Sequence, residues 1–324
     1  MTPRENPNLF GHDAAEAMLA DAIAGGRLHH AWIFSGPEGI GKATLAYRFA
    51  RRLLAGSGQG GGLSIAPAHP VFRRVSAATH ADLLTVEREW DDKKKRMKKQ
   101  ISADSARAVP GFLRLTAAEG GARVVIVDGA EDLNAASANA LLKILEEPPP
   151  ATVLILVTAA PGRLLPTLRS RCRQLKLLPI DDTAMRATLA AFGRDVPAAD
   201  AARLLDLAQG SPGRALMLLA DNGLKLAGLV DEVMNALPAL DLRRGYAIAD
   251  QLREEPAFDL FMGLLADQVA QVASGRARTS LRDARGDNAW AETWAALVAL
   301  TYETGFANMD RRQAVVAGLA LLRG

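Results

Sequence analysis

Cysteine is nearly absent from this chain. A single residue, Cys172, in 324 excludes an internal disulfide, and five scattered histidines cannot supply a Cys/His zinc cluster. Long hydrophobic runs are missing too, since no apolar stretch approaches the roughly 18 residues needed to span a bilayer. The first residues, Met1-Thr2-Pro3-Arg4-Glu5-Asn6, lack the basic-then-apolar layout of a signal peptide, so a cytoplasmic location with no membrane partner is expected. Charge excess is small: a formal +3 is too little to argue nucleic-acid binding by itself. What is present, 49% hydrophobic and 23% charged residues, is the composition of an ordinary globular protein long enough for two or three domains.

The segment Gly36-Pro37-Glu38-Gly39-Ile40-Gly41-Lys42-Ala43 has the spacing of a phosphate-cradling loop, G-x-x-x-x-G-K-[S/T]. In such loops the glycines allow backbone N–H groups to point at phosphates, the lysine reaches the outer phosphates, and a Ser/Thr hydroxyl coordinates Mg²⁺. Ala43 has no oxygen for that task. Thr44 follows one position later, rotated by about 100° on a helix and so turned away from the metal position. The flanks fit a strand–loop–helix unit: Ala31-Trp32-Ile33-Phe34 is a short apolar run, and Leu45, Ala46, Phe49, Ala50, Leu53 and Leu54 form a helical stripe. Gly36, Gly39, Gly41 and Lys42 are therefore candidate nucleotide contacts, with ATP or ADP held but not efficiently hydrolysed.

Further strands are expected at 83–86, 124–127, 153–157 and 175–178, alternating with helical patterns as in a parallel α/β sheet. Beyond Pro179 the chain is Ala- and Leu-rich with helical periodicity and no convincing strand. The glycine run at 58–62 reads as a flexible loop, and the basic run Lys93 to Lys99 as a solvated, self-repelling one. Asp128 closes the apolar run Val124-Val125-Ile126-Val127, where phosphate-loop proteins place a carboxylate that holds Mg²⁺ through its water shell. Gly129 stands where an ATPase needs a second carboxylate. Glu131, three residues past Asp128, is expected to be an exposed charge more readily than a catalytic base.

The stretches GRLHHAWIFSGPEGIGK (26–42), ASANALLKILEEPP (136–149), LVTAAPGRLLPTLRSRC (156–172) and GSPGRAL (210–216) resemble, in order, those of the clamp-loader AAA+ family of bacterial DNA polymerase III. The likeness covers about the first two thirds of the chain. It implies an AAA+ α/β domain with helices on both faces of a parallel sheet (1–178), a small helical lid (179–225) and an all-helical collar (226–324). The family's Ser-Arg-Cys motif carries an arginine that enters the ATP site of the neighbouring subunit; here it is Ser170-Arg171-Cys172. The resemblance likewise matches Arg214 to a nucleotide-sensing lid arginine and Thr158 to a polar contact of the outer phosphate. Ser211 and Pro212 also fit a helix cap and first turn on their own chemistry. Many relatives carry a four-cysteine zinc module after the first helix; this chain has no cysteine there, so no metal is expected.

The resemblance, with Ala43 and Gly129, points to a non-motor stator subunit. Its expected partners are gamma/tau-type and delta-type subunits in a hetero-pentamer, the sliding clamp, and primed DNA through the complex. The rival readings are a motor ATPase and a stand-alone phosphate-loop enzyme.

Overall fold

The computed structural model describes residues 1–56, 61–91, 96–98, 100–119, 121–220, 222–277, 281, 283 and 285–323. Residues 58–60 of the glycine run, and 93–95 and 99 of the basic run, lie outside them. Two compact units are present, Met1–Leu216 and Met217–Gly324.

The first unit opens with α1 (Asp13–Ala24), β1 (Ala31–Ser35), α2 (Lys42–Leu54), α3 (Pro70–Ser76) and β2 (Leu83–Val86). A short antiparallel pair, β3 (Trp90–Asp91) and β4 (Arg96–Met97), precedes α4 (Ala103–Arg114), β5 (Arg123–Asp128), α5 (Ala135–Glu146) and β6 (Thr152–Thr158). Then come α6 (Pro166–Arg169), β7 (Arg173–Lys176), α7 (Asp182–Ala191), α8 (Ala198–Ala208) and α9 (Pro212–Leu219). Five strands form one parallel sheet in the order β2-β5-β6-β1-β7. Parallel neighbours need crossovers, and the intervening helices supply them on both faces.

Alternation along β1 sorts the two cores. Trp32 and Phe34 face Leu19 of α1, Phe49 of α2 and Val71 of α3, whereas Ala31 and Ile33 face Val109 of α4, Leu141 of α5 and Leu168 of α6. Helix starts follow the capping chemistry of their sequences: Ser102, Asn134 and Asp181 accept from the amides of Ser105, Ser137 and Ala184 at 3.1, 2.8 and 2.7 Å.

The strand expected at 175–178 lies at Arg173–Lys176 instead. Register with β1 decides this, because Trp32 pairs with Arg173 and Ser35 with Lys176, and β1 stops where the glycine loop begins. Pairing survives one residue further through Leu177 N to Ser35 O at 2.8 Å, and Leu178 is exposed.

The apolar stripe of α2 is buried as its spacing implies, but Arg48, Arg51 and Arg52 are buried with it. They hold backbone. Arg51 donates to the carbonyls of Arg4 (3.2 Å) and Asn6 (2.8 Å) and stacks its guanidinium 4.3 Å from the Phe72 ring centroid. Arg48 donates to Pro7 O and pairs with Glu16. Burial, and secondarily Arg48, pushes Arg51 down to about 10, so it keeps its charge at neutral pH.

All described elements lying wholly in the second unit are helices: α10 (Gly223–Ala236), α11 (Leu242–Ala249), α12 (Glu255–Ala273), α13 (Asp287–Ala307) and α14 (Arg311–Arg323). Phe258, Phe261 and Leu265 of α12, Trp290 and Leu297 of α13, and Val315 and Leu319 of α14 are buried. No helix among the described residues is long and apolar enough to cross a membrane.

Candidate functional site

The loop between β1 and α2 stands at the carboxyl edge of the sheet. Ser35 and Thr158 are register partners, and β5 ends beside them at Asp128, so the expected loop, carboxylate and threonine are brought to one edge. Gly36, Gly39 and Gly41 adopt φ of +146°, +72° and +108°, a curvature that side chains resist.

Lys42 is turned onto its own loop. Its Nζ donates to Gly36 O at 2.9 Å and Pro37 O at 2.7 Å, and the side chain is buried. Desolvation holds its amine below the ordinary lysine range, while Glu131, Glu38 and Asp128 pull the other way. To reach a phosphate it must exchange two carbonyl bonds for the new one. Asp128 is shifted upward, first by burial and then by Glu87, with Lys42 opposing.

Glu131 departs from the expected exposed charge. Its Oε1 accepts from Ala159 N at 2.9 Å and its Oε2 is buried without a hydrogen-bond partner. Thr158, 1% exposed, accepts from Ala160 N at 3.1 Å. Both groups thus satisfy amides where the chain leaves β6, a role that ordinary strand-exit geometry explains.

The start of α9 grips the loop. Ser211 Oγ donates to Glu38 O at 2.7 Å and Gly213 N to Gly39 O at 2.8 Å, while Ser211 Oγ also faces Arg214 N at 3.4 Å. A Cβ on Gly39 would lie 2.7 Å from Ser211 Oγ, and one on Gly213 only 2.6 Å from Gly39 Cα. Sequence reasoning identified Ser211 as a cap and missed this clasp. One amide of the first turn, Gly213 N, is thereby engaged by a loop carbonyl and not left to face an anion. Half-buried Arg214 sits in that first turn, as expected.

Arg171 lies elsewhere. It precedes β7, whose start is at the amino edge of the parallel sheet, so the four residues of β7 alone put about 13 Å of strand between it and the carboxyl edge. Its Nη2 donates to Glu146 Oε1 at 2.8 Å and its Nη1 to Thr167 O at 3.1 Å, with the side chain 36% exposed. It is open to an adjoining molecule and poorly placed for its own loop. Nearby Arg173 is committed differently, lying 5.1 Å from the Trp32 ring centroid.

Burial pushes the Cys172 thiol up to about 12. The thiolate is therefore scarce at pH 8, and maleimide or iodoacetamide labelling of the native chain should be at least tenfold slower than labelling in denaturant, where a free thiol titrates near ~8.5. Equal rates in both states would contradict the burial argument.

Residues 11–181 match the family described as "DNA polymerase III, delta subunit". Delta' of Escherichia coli K12 is 36% identical over 248 residues, covering 74% of this chain and 68% of that one. The chain belongs to the DNA polymerase III delta-subunit family. A second member, delta' of Pseudomonas aeruginosa, is 40% identical over 197 residues, 58% of this chain and 56% of that relative. This delta-family chain thus spans little more than half the length of the Pseudomonas relative in the match. The gamma/tau subunit of Mycobacterium bovis is 33% identical over 199 residues, 58% of this chain and 31% of its own length. Among solved structures, a gamma-subunit-related protein of Thermotoga maritima shares the fold, with a TM-score of 0.50 at 17% identity, covering 95% of this chain and 98% of that one.

Proposed function

We propose that this chain is a delta'-type stator of a bacterial clamp loader, supplying Arg171 to the ATP site of an adjacent motor subunit. The observation that carries this reading is the placement of Arg171: half-exposed, at the opposite sheet edge from its own phosphate loop, and so open to an adjoining molecule while poorly placed for its own site. In that role it would neutralise charge developing on a transferred phosphoryl group. The helical second unit would pack against gamma/tau- and delta-type companions. Their turnover would open the sliding clamp and set it on primed DNA in the cytoplasm. Any direct DNA contact would be phosphate-directed and salt-sensitive.

The loop itself supports retention of nucleotide without turnover. Its curvature is intact, yet Ala43 offers no oxygen to Mg²⁺ and Lys42 is engaged by Gly36 and Pro37 carbonyls. Gly36, Gly39, Gly41 and Lys42 would hold ATP or ADP, with Asp128, Thr158 and Arg214 around the outer phosphates. The purified chain should therefore show negligible ATPase activity, and equilibrium titration with a fluorescent ATP analogue should give nearly the same affinity in Mg²⁺ and in EDTA. Robust steady-state turnover by the isolated chain would favour the motor reading instead.

A further inference from the structure

We propose that Glu146 is a positioning residue for Arg171, a latch that holds the guanidinium in the free chain and yields it to a neighbour's triphosphate. The inference rests on the reading of Arg171 given above and names a residue that the reading does not use. Glu146 is the last residue of α5 and Glu147 its C-cap, so two carboxylates stand at the negative pole of that helix, with Lys143 the basic residue of the last turn. A carboxylate there is unfavourable without a cation. Arg171 supplies one from the far side, reaching back from the end of α6 to Glu146 Oε1 at 2.8 Å.

The guanidinium thus sits between the carboxyl-terminal ends of two helices, since Nη1 also bonds Thr167 O at 3.1 Å and approaches Ser170 Oγ at 3.4 Å. Those bonds engage three of its five N–H groups. The grip is weak enough to be broken: the side chains are 36% and 52% exposed, and an exposed pair biases an equilibrium by no more than about fivefold. A triphosphate arriving at this surface has two effects. It competes with Glu146 for the same fork, and its charge is repelled by the carboxylate left behind. Both act in one direction, so removing the negative charge at Glu146 should make the interface take ATP more readily.

The experiment uses a reconstituted clamp-loader complex containing the full chain as wild type, Glu146→Gln, Arg171→Ala or the double variant, with ATP hydrolysis followed in the presence of clamp and primed DNA. Glutamine keeps an acceptor oxygen and the helix-end packing while removing the charge. The expected result for Glu146→Gln is a fall of up to about fivefold in the ATP concentration for half-maximal rate. The maximal rate should be unchanged, and the difference should fade as salt is raised. The double variant should behave as Arg171→Ala alone. A lowered maximal rate, a raised half-saturating concentration, a salt-independent change, or the same change in the Arg171→Ala background would overturn the latch while leaving the finger in place. Unaltered hydrolysis in Arg171→Ala itself would remove the finger, and the latch with it.

Discussion

Arg171→Ala, built into a reconstituted complex, should lower DNA-stimulated ATP turnover by about 10³-fold or more, while the isolated chain melts almost as before. An arginine supplied across an interface is worth about 10³ to 10⁵ in rate, or roughly 4 to 7 kcal/mol of barrier. Within its own chain the same side chain makes one half-exposed ion pair with Glu146 and two polar contacts beside α6. A pair of that exposure contributes about 0 to 1 kcal/mol of stability. The two numbers separate the readings. A purely structural arginine would show only that small loss of stability with unaltered turnover; a lent one adds the large fall in turnover, and unchanged hydrolysis would end the proposal.

Gly213→Ala should destabilise the first unit, although helix propensity alone says otherwise. Gly213 lies in the first turn of α9, and replacing a helical glycine by alanine ordinarily gains about 0.5 to 1 kcal/mol. Here the new methyl would stand 2.6 Å from Gly39 Cα and 3.1 Å from Gly39 O, backbone atoms of a loop with no flexible side chain to move aside. Either the clasp opens, losing Gly213 N to Gly39 O and Ser211 Oγ to Glu38 O, or the loop shifts. Overpacking of this kind costs about 1 to 3 kcal/mol, which in a domain of this size lowers the melting temperature by roughly 2 to 4 °C per kcal/mol. Gly162→Ala is the control, since a Cβ there meets nothing within 4 Å. A Gly213→Ala chain as stable as that control would show that the contact is not tight.

The strand–loop–helix unit was legible because its signals are local. Apolar runs, glycine spacing and the stripe of Leu45, Phe49 and Leu53 fall within one short segment, and each obeys a period that packing enforces. The Ser211 cap was legible for the same reason. Its grip on Glu38 was not, because that bond joins residues 173 apart and no spacing rule links them. The burial of Arg48, Arg51 and Arg52 had no local signal; only tertiary partners, the carbonyls of Arg4, Asn6, Pro7, Gly56 and Gly62, make it acceptable. Glu131 misled likewise, since its acceptor role depends on where β6 releases Ala159. The Arg171 position was suggested by a motif, but its separation from the loop needed the parallel register of β7 on β1.

Arg48 and Arg51 seize the early segment by the carbonyls of Arg4, Asn6 and Pro7, and its continuation lays Leu9 and His12 over Gly41 and Ile40. Main-chain oxygens are the same whatever residue bears them. The identity of those early side chains is thus free to drift over evolutionary time, whereas inserting or removing one residue would slide every carbonyl off its guanidinium and unroof the loop.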